Sequence, residues 1–181
     1  MEIKLIFGTD TGNTEYVIET YLMDLLSSYD VEVIELVNIS DNIWSDNNLF
    51  ILGVPTWYDG VLQSDWEDYF EDFKNIDFTG KTVAIFGLGD QIGYSEFFVD
   101  GIGILAEVIL KNGGSIIGHW PSDDYDFDQS KAVMNEKYLY GLAIDEDNED
   151  DLTHYRFEKW VEKLDHEIEK LKIKSLKSSV N

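Results

Sequence analysis

The chain has 181 residues, 44% of them hydrophobic and none of them cysteine, which suits one domain with a sizeable core and excludes a disulfide framework, a thiolate-held iron–sulfur cluster and a cysteine nucleophile. Its formal charge of −24 is uneven: residues 155–181 carry seven basic and five acidic side chains, and residues 1–154 carry six against 32, a net of −26. That balance serves solubility, excludes nucleic acid as a natural partner and suits partners with a basic face; with no long apolar run and no basic-then-apolar leader, a cytoplasmic protein without a membrane role is expected.

Short apolar runs alternate with amphipathic stretches along the chain. A strand is expected at 3–7, then a glycine- and threonine-rich loop at 8–14 and a helix over 13–27. A strand at 31–36, a short helix near 40–46 and a strand at 49–54 follow. Next come a loop at 55–62, a helix over 64–73, a strand at 82–87, a loop at 88–95 and a helix over 99–111. Asn112-Gly113-Gly114 is a good stop signal for that helix. The last strand begins at 115–118, gives way to a polar, acidic and aromatic segment around Trp120–Asp128, and resumes near 139–143. That segment is expected to be an ordered surface loop that contacts partners, or equally a solvated decoration. The acidic run 145–151 reads as a solvated entry to a final helix over 153–172, with weak divalent-cation binding as the minor alternative. This alternation predicts an α/β fold, a doubly wound sheet of five parallel strands covered by helices on both faces. We expect one domain over 1–173 and a frayed tail over 174–181. Ligands of such sheets sit beyond the carboxyl ends of the strands, so the loops at 8–14, 55–62 and 88–95 and the stretch after 143 are the places for a site.

The first loop, Gly8-Thr9-Asp10-Thr11-Gly12-Asn13-Thr14, contains no cation. Hydroxyls and backbone N–H groups beside the positive end of a helix hold a phosphate without one, although the same residues also make an ordinary turn with a threonine cap. Neither the Gly-x4-Gly-Lys-Ser/Thr phosphate loop nor the Gly-x-Gly-x-x-Gly dinucleotide fingerprint is present, which disfavours ATP and NAD. In the second loop, Trp57 just past a core strand offers a flat face for stacking on a planar ligand, or packs on a neighbouring helix. In the third, the glycines allow close backbone approach, Tyr94 offers a second plate, and Asp90 is placed to accept a ligand N–H or to be a solvated turn residue. One cradle and two plates on three strand ends describe a mononucleotide with a flat tricyclic ring. His119, His154 and His166 have no metal or triad spacing, and Lys170, Lys172, Lys174 and Lys177 complement the end of the last helix.

At this point the chain resembles the long-chain flavodoxins over essentially its whole length. The matching segments are the first loop, Pro55-Thr56-Trp57, Gln63-Ser64-Asp65-Trp66-Glu67, Asp77-Phe78-Thr79-Gly80-Lys81, Gly87-Leu88-Gly89-Asp90-Gln91-Ile92-Gly93-Tyr94 and Gly141-Leu142-Ala143-Ile144-Asp145-Glu146-Asp147. The resemblance implies a flavodoxin-like sheet of order 2-1-3-4-5, its last strand interrupted by an insertion of about 20 residues, with ligand placement as in the flavodoxin that already exemplifies this rule. It implies FMN as cofactor, with Thr9, Asp10, Thr11, Gly12, Asn13 and Thr14 around the phosphate. Trp57 and Tyr94 would sandwich the isoalloxazine ring. Pro55, Thr56, Tyr58, Asp59 and Gly60, with Gly87, Leu88, Gly89 and Asp90, would meet its polar edge, and Asp147 would lie near the ribityl chain. It further implies a monomeric, low-potential one-electron carrier, not an enzyme, that passes between semiquinone and hydroquinone. Its partners would be redox proteins with basic docking faces, such as a ferredoxin/flavodoxin-NADP reductase. In the family the peptide after residue 58 turns over on reduction; here it is Tyr58-Asp59, so Asp59→Gly is expected to ease a mildly strained turnover and stabilise the semiquinone. An FMN-dependent NAD(P)H:quinone-type reductase on the same fold is the alternative, disfavoured by plates on both ring faces. A phosphorylated receiver domain lacks its acidic residues after strands one and three.

Overall fold

A computed structural model describes residues 2–40 and 42–178, with side chains to residue 173. The chain folds as β1 (Glu2–Phe7), α1 (Asn13–Val17), one π-helical turn (Ile18–Leu22), α2 (Met23–Leu25), β2 (Asp30–Glu35), α3 (Ile43–Asp46), β3 (Leu49–Trp57), β4 (Val61–Leu62), α4 (Ser64–Phe73), β5 (Thr82–Leu88), α5 (Asp100–Lys111), β6 (Ser115–Ile117), β7 (Trp120–Pro121), β8 (Val133–Asn135), β9 (Tyr138–Leu139), β10 (Leu142–Ile144) and α6 (Thr153–Ser178). The expected helix over 13–27 is thus α1, the π turn and α2 in succession.

Side chains alternate across a strand, so each strand of a sheet covered on both sides supplies two cores. Ile3, Leu5 and Phe7 of β1, Leu49 and Ile51 of β3, and Ala84 and Phe86 of β5 face Val17, Ile18 and Leu22 together with Phe157, Trp160 and Leu164 of α6. Ile6, Phe50, Leu52, Val54, Val83 and Ile85 face Trp66 and Phe73 of α4 and Ile102, Leu105 and Ile109 of α5. The parallel sheet runs β2-β1-β3-β5. Beyond β5 the fifth position is filled twice: β6 pairs with residues 82–84 and β10 with residues 86–88, both parallel. This is the expected order 2-1-3-4-5 with its last strand in two pieces.

Three boundaries differ from expectation. The main sheet resumes at Leu142, whereas Tyr138–Leu139 pairs antiparallel with Trp120–Pro121 and with β8 in a separate ribbon. Gly141 carries the chain onto the sheet where a Cβ would stand 2.2 Å from the Ile85 carbonyl oxygen. β3 continues to Trp57, because Thr56 and Trp57 pair with Leu62 and Val61 in a short hairpin; the tryptophan therefore ends a strand where a position in a loop was expected. Finally, α6 runs through Ser178, so the segment assigned to a tail begins inside a helix, and residues 179–181 lie outside the described residues. The Lys174 and Lys177 side chains are likewise outside them.

The insertion between β6 and β10 is pressed onto the main body. Lys131 donates its backbone N–H and its ammonium to Asp100 at the start of α5, both at 2.7 Å. At Gly103 a Cβ would lie 2.0 Å from the Lys131 carbonyl oxygen.

Candidate functional site

The carboxyl ends of β1, β3, β5 and β10 enclose one cleft. At its β1 side, Gly12 caps α1 with φ 83°, a left-handed conformation that favours glycine. Its N–H donates to Thr9 Oγ1 (3.0 Å), and its carbonyl accepts the first helical bond, from Tyr16 N–H (2.9 Å). The N–H groups of Asn13, Thr14 and Glu15 precede that bond and have no partner within the helix. Thr14 Oγ1 is buried and also unpartnered. These donors converge at a helix N-terminus, where the backbone dipoles favour an anion.

The cradle rests on α4. Gln63 caps that helix, accepting from Trp66 N–H (3.3 Å), while its amide donates to Asp10 (2.9 Å) and Asp65 (2.8 Å). Asp10 also accepts the Ser64 hydroxyl. Burial alone would raise the Asp10 carboxyl, but the Ser64 and Gln63 bonds outweigh it and hold the pKa below the ordinary value. Gly8 leaves room for this arrangement, since a Cβ there would sit 2.0 Å from Gln63 Oε1. The Asp10 side chain is therefore engaged with α4.

On the opposite side, Trp57 and Tyr94 both line the cleft. The Trp57 indole N–H is buried without a partner. Tyr58, 64% exposed, and Tyr94, 45% exposed, stand at the mouth. Asp10, Asp90, Glu146 and Asp147 line the cleft, and among the described residues no Lys, Arg or His does. Burial pushes the Asp147 carboxyl up, and the charges of Asp90 and Asp145 push it the same way. Glu146 is raised for the same first reason, with Asp150, Asp147 and Asp145 adding and the Thr153 hydroxyl opposing. At Asp90 burial is outweighed by donors from Gly93 N–H, the Asn148 amide and Ile92 N–H, and the pKa is lowered.

The flavodoxin family model matches residues 5–160. The chain belongs to the flavodoxin family. It is 46% identical over 167 residues to the flavodoxin of Buchnera aphidicola subsp. Acyrthosiphon pisum, covering 90% of this chain and 95% of that one. It is 45% identical over 171 residues to the flavodoxin of Nostoc sp. strain PCC 7120, at 92% and 97% coverage. The crystal structure of Fusobacterium nucleatum flavodoxin bound to flavin mononucleotide superposes with a TM-score of 0.85 at 30% identity, covering 92% of this chain and 98% of that one.

Of the residues singled out from the sequence, the flavodoxin cleft gathers Thr9, Asp10, Thr11, Asn13, Thr14, Pro55, Thr56, Trp57, Tyr58, Leu88, Gly89, Asp90, Tyr94 and Asp147. Four do not line it. Gly12 shapes the cradle, and Gly87 is buried against Ile102. Gly60 (φ 81°) is packed on Asp100, and Asp59 lies in the turn before it. The left-handed residues of that turn are Tyr58 (φ 41°) and Gly60, and Asp59 is not among them. Thr56 Oγ1 is already taken by Gly101 N–H (2.9 Å). Asp90, expected to accept from a ligand, has Oδ1 occupied by Ile92 N–H (3.0 Å), Gly93 N–H (2.6 Å) and Asn148 Nδ2 (2.8 Å).

Sequence reasoning missed Phe97 and Glu146, which also line the cleft. Glu146 lies in the stretch after 143 already marked for a site, and Phe97 follows Tyr94 in the same turn. The acidic run is not uniformly solvated either. Asp145 is fully buried, and Glu149 is paired with Arg156 at 2.6 Å. Among the described residues no group of His, Cys, Asp and Glu is arranged to hold a metal ion, and no helix is long and apolar enough to cross a membrane.

Proposed function

We propose that this chain binds FMN non-covalently in the cleft and works as a low-potential one-electron carrier between redox proteins. The observation that carries the reading is the unpartnered, buried Thr14 hydroxyl at a helix N-terminus, in a cation-free cleft walled by Trp57 and Tyr94. A buried donor without an acceptor is destabilising, and a phosphate there supplies the acceptor. The Trp57 indole N–H is a second orphan in the same cleft, so the residues present fit the group.

When bound, FMN supplies one-electron chemistry, cycling between its one- and two-electron-reduced levels. The protein's part is to fix the phosphate by neutral donors, cover the ring with flat side chains and surround it with carboxylates. Beyond their own burial, Glu146 and Asp147 are raised by neighbouring carboxylates, and that same field opposes added negative charge at this edge. A carboxylate about 10 Å from the ring disfavours a new negative charge by roughly 1.7 kcal/mol at an effective dielectric near 20, before screening. Several acting together would keep the second reduction step at low potential. The exposed rings of Tyr58 and Tyr94 mark the edge for electron exchange, and the acidic surface suits partners with basic docking faces.

An anaerobic reductive titration of the FMN-loaded protein tests this. One flavin per chain and two separated one-electron steps are expected. An apoprotein with no affinity for FMN would end the proposal. Rapid oxidation of NAD(P)H by the holoprotein alone would replace it with the reductase reading.

A further inference from the structure

Behind the Tyr94 wall, two neutral amides are set among carboxylates. Gln91 is 3% exposed, and its side-chain nitrogen donates to Asp145 Oδ2 and Glu149 Oε2, both at 2.8 Å. Its backbone N–H also reaches Asp145 Oδ2 (3.1 Å), and its side-chain oxygen accepts Asp126 N–H (2.7 Å). Asn148 Nδ2 bridges Asp90 Oδ1 (2.8 Å) and Asp145 Oδ1 (3.0 Å). Arg156, nearly buried, is the cation of this knot: it pairs with Glu149 and lies 4.5 Å over the ring of Tyr125, whose hydroxyl donates to Ala143 O (2.7 Å). The turn carrying Tyr94, the loop carrying Glu146 and Asp147, and the insertion thus meet at one side chain that does not itself line the cleft.

We propose that Gln91 is a positioning residue: it locks the Tyr94 turn to the Glu146–Asp147 loop and so sets the ring side of the site, leaving the phosphate side alone. This rests on the flavin reading above. The groups facing Gln91 are Asp90 of its own turn, Asp145 and Glu149 from the loop after β10, Asp126 through its N–H from the insertion, and Arg156 from α6. An amide suits this place because it offers two donors and an acceptor without charge.

Gln91→Glu keeps the shape and exchanges the NH2 for oxygen. Ionised, the new carboxyl repels Asp145 and Glu149; protonated, it loses that repulsion and regains the acceptor and one of the two donors. Its like-charged neighbours raise its pKa, so mild acid should close the knot again. Apoprotein is titrated with FMN and with riboflavin at pH 8 and pH 5.5, wild type beside variant. At pH 8 both ligands should bind about tenfold more weakly to the variant, by a common factor, because the loss of the two hydrogen bonds donated by the Gln91 amide is felt by the ring wall. At pH 5.5 the variant should return to within about threefold of wild type. Unchanged affinity at pH 8, a loss confined to FMN, or a loss that persists at pH 5.5 would overturn the proposal. If Gln91→Glu does not fold, Asn148→Asp, at an exposed position of the same knot, is held to the same outcomes. Wild-type protein that binds neither flavin would instead remove the cofactor reading on which this rests.

Discussion

At the β1 end of the cleft, Thr14 Oγ1 has no protein partner and the first-turn N–H groups of α1 have none within the helix; at the β5–β10 end, Asp90 and Asp145 are crowded with internal donors. The first end is left incomplete and is satisfied only when an anion arrives. At the second the carboxylates of Asp90 and Asp145 are satisfied without a ligand, and Glu146 and Asp147 resist further negative charge. A site built this way grips an anion that is permanently charged while opposing one created by reduction at its far end. The division also explains where rigidity lies: donors that await a ligand cannot hold the apoprotein together, whereas the Gln91–Asp145–Asn148 knot can.

The sharpest way to break this comparison is Thr14→Val, which keeps the shape and removes the waiting hydroxyl. FMN should bind roughly 10- to 100-fold more weakly, the range for a hydrogen bond to a charged group, while riboflavin affinity stays within about twofold. The melting temperature of the apoprotein should not fall, since an unpartnered buried hydroxyl has been replaced by a methyl. Equal losses for both ligands would mean that Thr14 acts on the ring and that the two ends are not separate.

Next in size is Gly8→Ala. The new Cβ would stand 2.0 Å from Gln63 Oε1 and 2.8 Å from Trp66 Cδ1, both buried. Forcing extra volume there should destabilise the apoprotein by about 1–3 kcal/mol in a urea titration. A change below a few tenths would show that the cradle does not depend on the α4 cap beneath it.

The parallel sheet and the cleft were legible because they rest on local signals. Apolar runs long enough only for strands, the cation-free threonine loop and the two aromatics each announce themselves within a few residues, and fourteen of the eighteen residues singled out line the cleft, which makes the four exceptions informative. Gly12, Gly60 and Gly87 act through backbone shape and close packing, and Asp59 lies between the two left-handed residues of its turn. What stayed hidden depends on partners distant in sequence. Asp145 looks like its acidic neighbours until the fold brings Gln91, 54 residues earlier, against it. Arg156 is singled out by no local pattern, and only the fold sets it against Glu149 and Tyr125. In the sequence Trp57 reads as lying just beyond a strand, because nothing in Val54-Pro55-Thr56 signals that a hairpin with β4 prolongs it.

A smaller effect separates the two classes of carboxylate by pH. Asp10, Asp90 and Glu149 have lowered pKa values. Their contribution is present above their unfolded values of 3.8, 3.8 and 4.5 and is lost as pH falls through the lower folded values. Glu146 and Asp147 are raised, so their ionised forms weaken the fold, and acid relieves that before the loss begins. Apoprotein melting temperature should therefore hold or rise slightly as pH falls from 7 toward about 5, then drop below about 4. A steady decline from pH 7 would contradict this division.

Asp147→Asn should give the smallest change. Asp147 has its folded pKa above the unfolded 3.8, so its ionised form is disfavoured in the folded protein at neutral pH and the amide removes that penalty. Because Asp147 is only partly desolvated and much of the residue stays in solvent, screening limits the gain to a few tenths of a kcal/mol, roughly a degree in melting temperature. The gap to wild type should shrink as pH falls through the raised pKa toward 3.8, where Asp147 takes up its own proton. In the FMN-loaded protein the same substitution should raise the second reduction potential by roughly 20–40 mV at low salt, and less at high salt. A stability gap undiminished at pH 4 would mean that the asparagine acts by a new contact instead of by removing charge. A potential that ignores salt would mean the same, and the acid end of the cleft would then owe its character to structure alone.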